Sequence, residues 1–263
     1  MYQNRLQLLL TLLLPLTGCG EADPLPDICS RSPTLCRDLV DDGWCRAERR
    51  QVILARHAAQ GVPAEPHYRL LEALDGYLKC MDHASKLEYR LLKDKKSRRI
   101  ESMLSASQQQ ETLDEQTRDS SNPWLAMWHW QRHADHAAGA RFMALAGTPA
   151  LEQGELQEAL AIETAKHEPK RAMALFEHAL TLPRQDNRLP VRIATALSTL
   201  HMGLKHYREA YLWAVVAAKL PDGPNVSAQR MSLYITITAD ERSAIEAKAQ
   251  EIADAINDGH YSP

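Results

Sequence analysis

The chain has 263 residues and a formal net charge of −3. So mild an acidic balance argues against a general nucleic-acid binder. The length is enough for a sizeable core in one or two domains.

The first segment with a clear signature is an apolar run, Leu6 to Leu16, preceded by Arg5 and interrupted only by Gln7, Thr11 and Pro15. It is too short for the roughly 20 residues of a membrane-spanning helix. A basic start, a short apolar core and small residues at a cut site read as a secretory signal. The run ends in Leu16-Thr17-Gly18-Cys19, which closely resembles the lipobox of bacterial lipoproteins. That resemblance implies lipid transfer to the Cys19 thiol, cleavage before Cys19 and acylation of the new amino terminus. Gly20, where Asp would favour inner-membrane retention, implies by the same resemblance an outer-membrane destination facing the periplasm. No later segment approaches a membrane span, so the expected anchor is lipid alone.

Besides Cys19, four cysteines remain: Cys29, Cys36, Cys45 and Cys80. An even number in an oxidising compartment predicts two disulfides. Zinc is the alternative, but the spacing lacks the close Cys-x2-Cys pairs usual in zinc sites. Residues 20–27, with Pro24 and Pro26, read as a tether. A helical pattern runs from about Trp44 to Gln60 and is stopped by Gly61 and Pro63. A second helix starts near Glu65, where Leu70, Leu71, Leu74, Tyr77, Leu78 and Met81 recur at three- and four-residue spacing. Two helices joined so closely form an antiparallel hairpin. That brings Cys45 towards Cys80 and leaves Cys29 to pair with Cys36.

Residues 93–104 continue helical and carry the basic run Lys93, Lys95, Lys96, Arg98 and Arg99. As a charged helix face this is expected to be solvated. The stretch from Ser105 to Asn122 is rich in Gln, Ser, Glu and Asp. Low apolar content cannot offset ordering entropy, which predicts a mobile linker. The expected division is therefore a signal peptide (1–18), a lipidated tether (19–28), a disulfide-stapled helical hairpin region (29–104), a polar linker (105–122) and a helical repeat domain (123–263).

The second half repeats. The segment from Arg171 to Pro183 aligns without gaps on Glu209 to Pro221, at an offset of 38 residues that superposes Ala172 on Ala210 and Ala179 on Ala217. A weaker copy, Ala138 to Pro149, places Phe142 under Phe176. Each copy has an upstream helical partner, Leu156 to Ala165 and Val191 to Leu204. A closing amphipathic helix spans Ala239 to Ile256. The Ala-x3-Phe-x2-Ala spacing at Ala172, Phe176 and Ala179 resembles the second helix of a tetratricopeptide repeat. The segment from Tyr207 to Lys219, with Ala210-x2-Trp213 and Ala217-Ala218, resembles the related Sel1 repeat. The pattern is degenerate, since Leu160 or Ser198 stands where the repeat's Gly falls. The whole chain also resembles an uncharacterised family of proteobacterial lipoproteins, through Ile28-Cys29, Leu35-Cys36, Gly43-Trp44-Cys45-Arg46 and Arg49-Arg50-x-Val52-Ile53. That family implies no catalytic residues. The fold class expected is all-α, built of helical hairpins.

Few constellations carry chemistry. His129, His133 and His136 stand at i, i+4 and i+7 and would share one face of a continuous helix. Imidazoles so placed are a weak metal signal without further ligands, and no His-Glu-x-x-His is present. Trp124, Trp128 and Trp130 are expected in the core. Asp41-Asp42 reads as part of an ordinary polar loop. Nucleophile elbows, P-loops and dinucleotide fingerprints do not occur. These readings point to a non-enzymatic, lipid-anchored scaffold or adaptor of the outer membrane. It would bind a protein partner in envelope maintenance, with no cofactor and no nucleic acid. The alternative is a ligand- or metal-binding envelope lipoprotein using the histidine face.

Overall fold

The computed structural model describes residues 24–61, 65–87, 93–224, 235 and 237–263. The Leu16–Cys19 box lies outside them. The described residues form eleven α-helices and no strand, so the protein is all-α, as the periodicities predicted.

Helix α1 (Leu25–Arg31) falls where a tether was expected. Pro26 sits within the first two helical positions, where a missing N–H costs nothing, and Ile28 is buried in the core. A 3-10 turn (Pro33–Leu35) follows. The Cys29–Cys36 disulfide closes this entry loop. Helices α2 (Arg46–Ala58) and α3 (Glu65–Ser85) pair as the predicted hairpin. Val52 and Ile53 pack with Leu71, Leu74, Tyr77 and Met81 in one core. The Cys45–Cys80 disulfide staples the start of α2 to the later part of α3.

Helix α4 (Lys93–Thr117) corrects two expectations. Residues 105–117 are not a linker but the second half of a 25-residue helix packed along α3. Its inward face is mostly small or polar, with Ser102, Ala106 and Thr117 buried beside Leu113, so hydropathy alone does not reveal it. Nor is the basic run wholly solvated: Arg99 is only 1 % exposed. Its Nε donates to Asp42 Oδ2 at 2.6 Å and its Nη1 to the Ala84 carbonyl at 2.7 Å. Asp42, read as loop, is thus the buried partner of α4. A second polar knot lies further along the helix. The Arg56 guanidinium donates to both carboxylate oxygens of Asp38 and to Gln109 Oε1, and Ser105 Oγ donates to Asp38.

Asn122 caps α5 (Pro123–His133), its side chain accepting from the Trp124 and Leu125 N–H groups. Helix α6 (His136–Met143) folds back on α5. The approach is close at Gly139, where an added Cβ would stand 2.7 Å from the Trp130 ring. Helices α7 (Gly154–Thr164) and α8 (Pro169–Thr181) form the next hairpin. Helices α9 (Leu189–Gly203) and α10 (Tyr207–Lys219) form another. Helix α11 (Ala239–Asn257) packs on α10 and is opened by a Thr238/Glu241 capping box. Ala172, Ala179, Ala210 and Ala217 are all buried. The core divides inside α7: Leu156, Ala159 and Leu160 join the N-terminal cluster, and Ala161 joins the C-terminal one.

Candidate functional site

The N-terminal bundle and the C-terminal hairpins enclose a cleft of about 460 Å³ that takes residues from α3, α5, α7, α9 and the turn before α9. Its apolar wall is Tyr68 and Trp124, with ring centroids 5.0 Å apart. The Arg69 guanidinium lies 5.6 Å from the Trp124 ring and 5.9 Å from that of Tyr68, within cation–π range. Tyr68 donates its hydroxyl to Glu72 Oε1 at 2.7 Å. Burial pushes the Glu72 carboxyl up, and Glu155 and Asp186 nearby add to the effect, against the pull of Tyr68 and Arg69. Burial, with the neighbouring Glu72, also raises Tyr68.

The opposite wall is set by turn chemistry. Glu155 Oε1, in the first turn of α7, accepts from the backbone N–H groups of Gln185 and Asp186 at 2.6 and 2.7 Å. This ties the α8–α9 connection to the start of α7. Glu155 Oε2 is buried and has no hydrogen-bond partner among the described residues. Arg192 on α9 bonds Glu158 through Nε and Nη2, at 2.8 and 2.7 Å, and also pairs with Asp186. The Glu158 bonds hold the guanidinium protonated even more firmly than usual. Burial works against the Asp186 carboxylate, but the Arg188 N–H and Arg192 outweigh it and lower its pKa. Four carboxylates and two guanidiniums therefore leave the cleft net negative beside an aromatic wall.

The histidine face is only partly assembled. His129 is 2 % exposed, and burial pushes its imidazole below the ordinary value. Its Nε2 bonds the Thr117 hydroxyl at 2.9 Å. Thr117 Oγ1 gives its own proton to the Leu113 carbonyl at 2.7 Å, so the ring nitrogen is the donor. His133 stacks one turn on, with ring centroids 5.6 Å apart, and its Nε2 lies 3.1 Å from Asp114 Oδ2. Trp128 Nε1 donates to the other oxygen of Asp114 at 2.7 Å. His136 does not join them. Ala134 adopts a left-handed conformation at φ 53°, and Asp135 caps a new helix by accepting from the Ala137 and Ala138 N–H groups. The i+7 step assumed a helix that ends at His133. Asp114, fifteen positions before His129, was not legible because it comes from α4 and no local spacing links the two.

The remaining assigned positions divide simply. Trp124 and Trp128 are buried, as expected. Cys45 and Cys80 approach Glu48 in a potential ligand group, but both sulfurs are spent in the disulfide and offer no thiolate. Cys19 lies outside the described residues.

A family model described as "Protein of unknown function (DUF2989)" matches residues 16–215. The chain belongs to the DUF2989 family. The matched region takes in both disulfides, the cleft and the Asp114–His129–His133 group, and leaves α11 outside. No curated protein and no solved structure matches the chain.

Proposed function

We propose that this DUF2989 protein is a lipid-anchored adaptor of the bacterial outer membrane, facing the periplasm. In this reading its cleft seats a cationic segment of an envelope protein. The observation that carries the partner reading is the cleft itself, with Glu72, Glu155, Glu158 and Asp186 set against Tyr68 and Trp124. A Lys or Arg side chain entering it would meet Glu155 Oε2, which has no partner among the described residues, and the half-buried Glu72 carboxyl. Its alkyl stem would lie on aromatic surface. The anchor rests on the Leu16-Thr17-Gly18-Cys19 box. Two disulfides agree with an oxidising compartment. We read α7–α10 as degenerate tetratricopeptide or Sel1-like hairpins. The 38-residue offset places alanines that are buried in both copies at equivalent positions, and stacks of such hairpins present concave binding surfaces.

Two measurements test this. Intact mass and detergent partitioning of the wild type and Cys19→Ala address the anchor. An acylated, membrane-bound wild type and an unprocessed or soluble variant are expected, and a free Cys19 thiol in the wild type would refute it. A photo-crosslinker at Ile162, 51 % exposed on the cleft rim, addresses the partner. Adducts should map to a Lys- or Arg-bearing segment of one envelope protein and weaken in Glu72→Gln. Adducts matching those from a crosslinker at exposed Lys248 on α11 would refute the cleft.

A further inference from the structure

The cavity on the other side of α5 is where the structure goes furthest beyond the adaptor reading. It measures about 450 Å³ and is bounded by α4 and α5. Asp114, His129 and His133 each offer one ligand atom to it, and these atoms all lie within 4.8 Å of one another. We propose that Asp114, His129 and His133 form a binding site for a divalent first-row transition metal ion of the zinc class.

Two imidazoles and a carboxylate on adjoining helices are the donor set such ions prefer. Metal–nitrogen and metal–oxygen bonds of about 2.1 Å put neighbouring ligand atoms of a tetrahedral site about 3.4 Å apart. His133 Nε2 and Asp114 Oδ2 are already 3.1 Å apart. The widest possible separation, 4.8 Å, closes with a shift of little more than about 1.4 Å. A side-chain rotation across an open cavity supplies that without moving a helix.

The ligands are also held from behind. Trp128 Nε1 donates to Asp114 Oδ1 at 2.7 Å, which fixes the plane of the carboxylate and turns Oδ2 towards His133. The Thr117 hydroxyl fixes the plane and tautomer of His129. Outer partners of this kind orient the ligands in metal sites. Glu111 and Glu115 line the same cavity and offer a fourth donor beside water. Arg118 is on the wall too and opposes a cation, but Glu111, Asp114 and Glu115 outnumber it. A metal ion binds imidazole nitrogen and carboxylate oxygen only in their deprotonated forms, so uptake at this site should weaken in acid.

The test uses the full, untagged chain in detergent, stripped with a chelator. Calorimetry with Zn²⁺ alone and visible spectroscopy with Co²⁺ alone provide the readouts. The wild type should take up one ion per chain and give the ligand-field bands of a low-coordinate Co²⁺ site. Asp114→Asn and His133→Ala alter partly exposed side chains, and circular dichroism checks that they fold. Each should weaken Zn²⁺ binding by more than tenfold. Trp128→Phe should weaken it by about 10- to 100-fold, the range seen when outer partners are lost. His136→Ala should leave it unchanged. No uptake by the wild type would overturn the proposal, and so would uptake that Asp114→Asn and His133→Ala leave intact. None of these outcomes bears on the cleft, which lies on the other face of α5.

Discussion

Removing the Asp42 carboxylate should be among the most damaging single changes to the N-terminal bundle. The Asp42 side chain is 3 % exposed and that of Arg99 1 %. Asp42→Ala takes the carboxylate from a buried guanidinium, which keeps its bond to the Ala84 carbonyl and its place 5.5 Å from the Trp44 ring. Breaking a buried pair by deleting one partner costs about 3–5 kcal/mol, because the remaining charge stays desolvated. The Trp44 N–H also loses its acceptor, Asp42 Oδ1, at 3.2 Å. Urea unfolding followed by circular dichroism reads the change. With a slope of about 2–3 kcal/mol per molar, the midpoint should fall by about 1–2 M. Asp94→Ala is the control. It breaks the exposed Arg98–Asp94 pair and should cost less than about 1 kcal/mol. The double change Asp42→Ala/Arg99→Met should recover much of the loss, because it removes the buried charge along with its carboxylate. The loss should also depend on pH. Burial works against the Asp42 carboxylate, but the Arg99 bond and the Trp44 N–H outweigh it and lower its pKa below 3.8. A depressed pKa contributes stability that is present above the unfolded value and lost as pH falls through the folded one. The gap between wild type and Asp42→Ala should therefore narrow in acid below about pH 4. If Asp42→Ala melts alongside Asp94→Ala at neutral pH, the interior ion pair does not hold the 41–44 loop to α4.

Three further outcomes follow from the packing. Chain entropy assigns about 3.8 kcal/mol to the Cys45–Cys80 bridge, with its separation of 35, and about 2.5 kcal/mol to Cys29–Cys36, with its separation of 7. Denaturant curves of the two double-alanine variants should rank in that order. Ala217→Leu should cost about 1–3 kcal/mol by overpacking, while Lys248→Leu on the exposed face of α11 should change the thermal midpoint little. Glu72→Gln should raise the thermal midpoint at neutral pH. Burial raises the Glu72 pKa above 4.5, so the wild-type stability from this group is full only below the unfolded value and is lost as pH rises through the folded one. The advantage of Gln should vanish near pH 4, and a Glu72→Gln that destabilises at pH 7 would mean that the carboxylate is well satisfied in the cleft.

What the sequence revealed follows the kind of force involved. The hairpin of α2 and α3, the pairing of Cys45 with Cys80 and the burial of Ala172, Ala179, Ala210 and Ala217 depend on apolar periodicity and short connections. Both are local and both are written in spacing. Helix α4 depends on neither. Leu113 is buried, but Ile100 and Leu104 face outward. Besides Ala106 and Leu113, its inward side carries polar groups that distant residues meet: Asp42 for Arg99, Asp38 for Ser105, Arg56 for Gln109 and His129 for Thr117. A buried polar group without its partner costs more than its bond returns. Polar composition therefore reads as solvent exposure until the partner is known.

The same property explains why spacing places one histidine wrongly and hides a carboxylate. His136 falls on the face only if periodicity continues α5 past His133. The chain instead spends Asp135 on capping α6, a choice that costs one residue and turns the backbone through Ala134. Asp114 escapes sequence spacing because it belongs to the polar face of α4, whose composition reads as a linker. A helix seated by directional bonds has one register. Moving α4 by one residue would unseat Arg99, Ser105, Gln109, Asp114 and Thr117 together. A segment that its polar composition marks as a linker is thus held in register by directional bonds, and a fixed position is what a carboxylate needs if it is to meet two imidazoles from another helix.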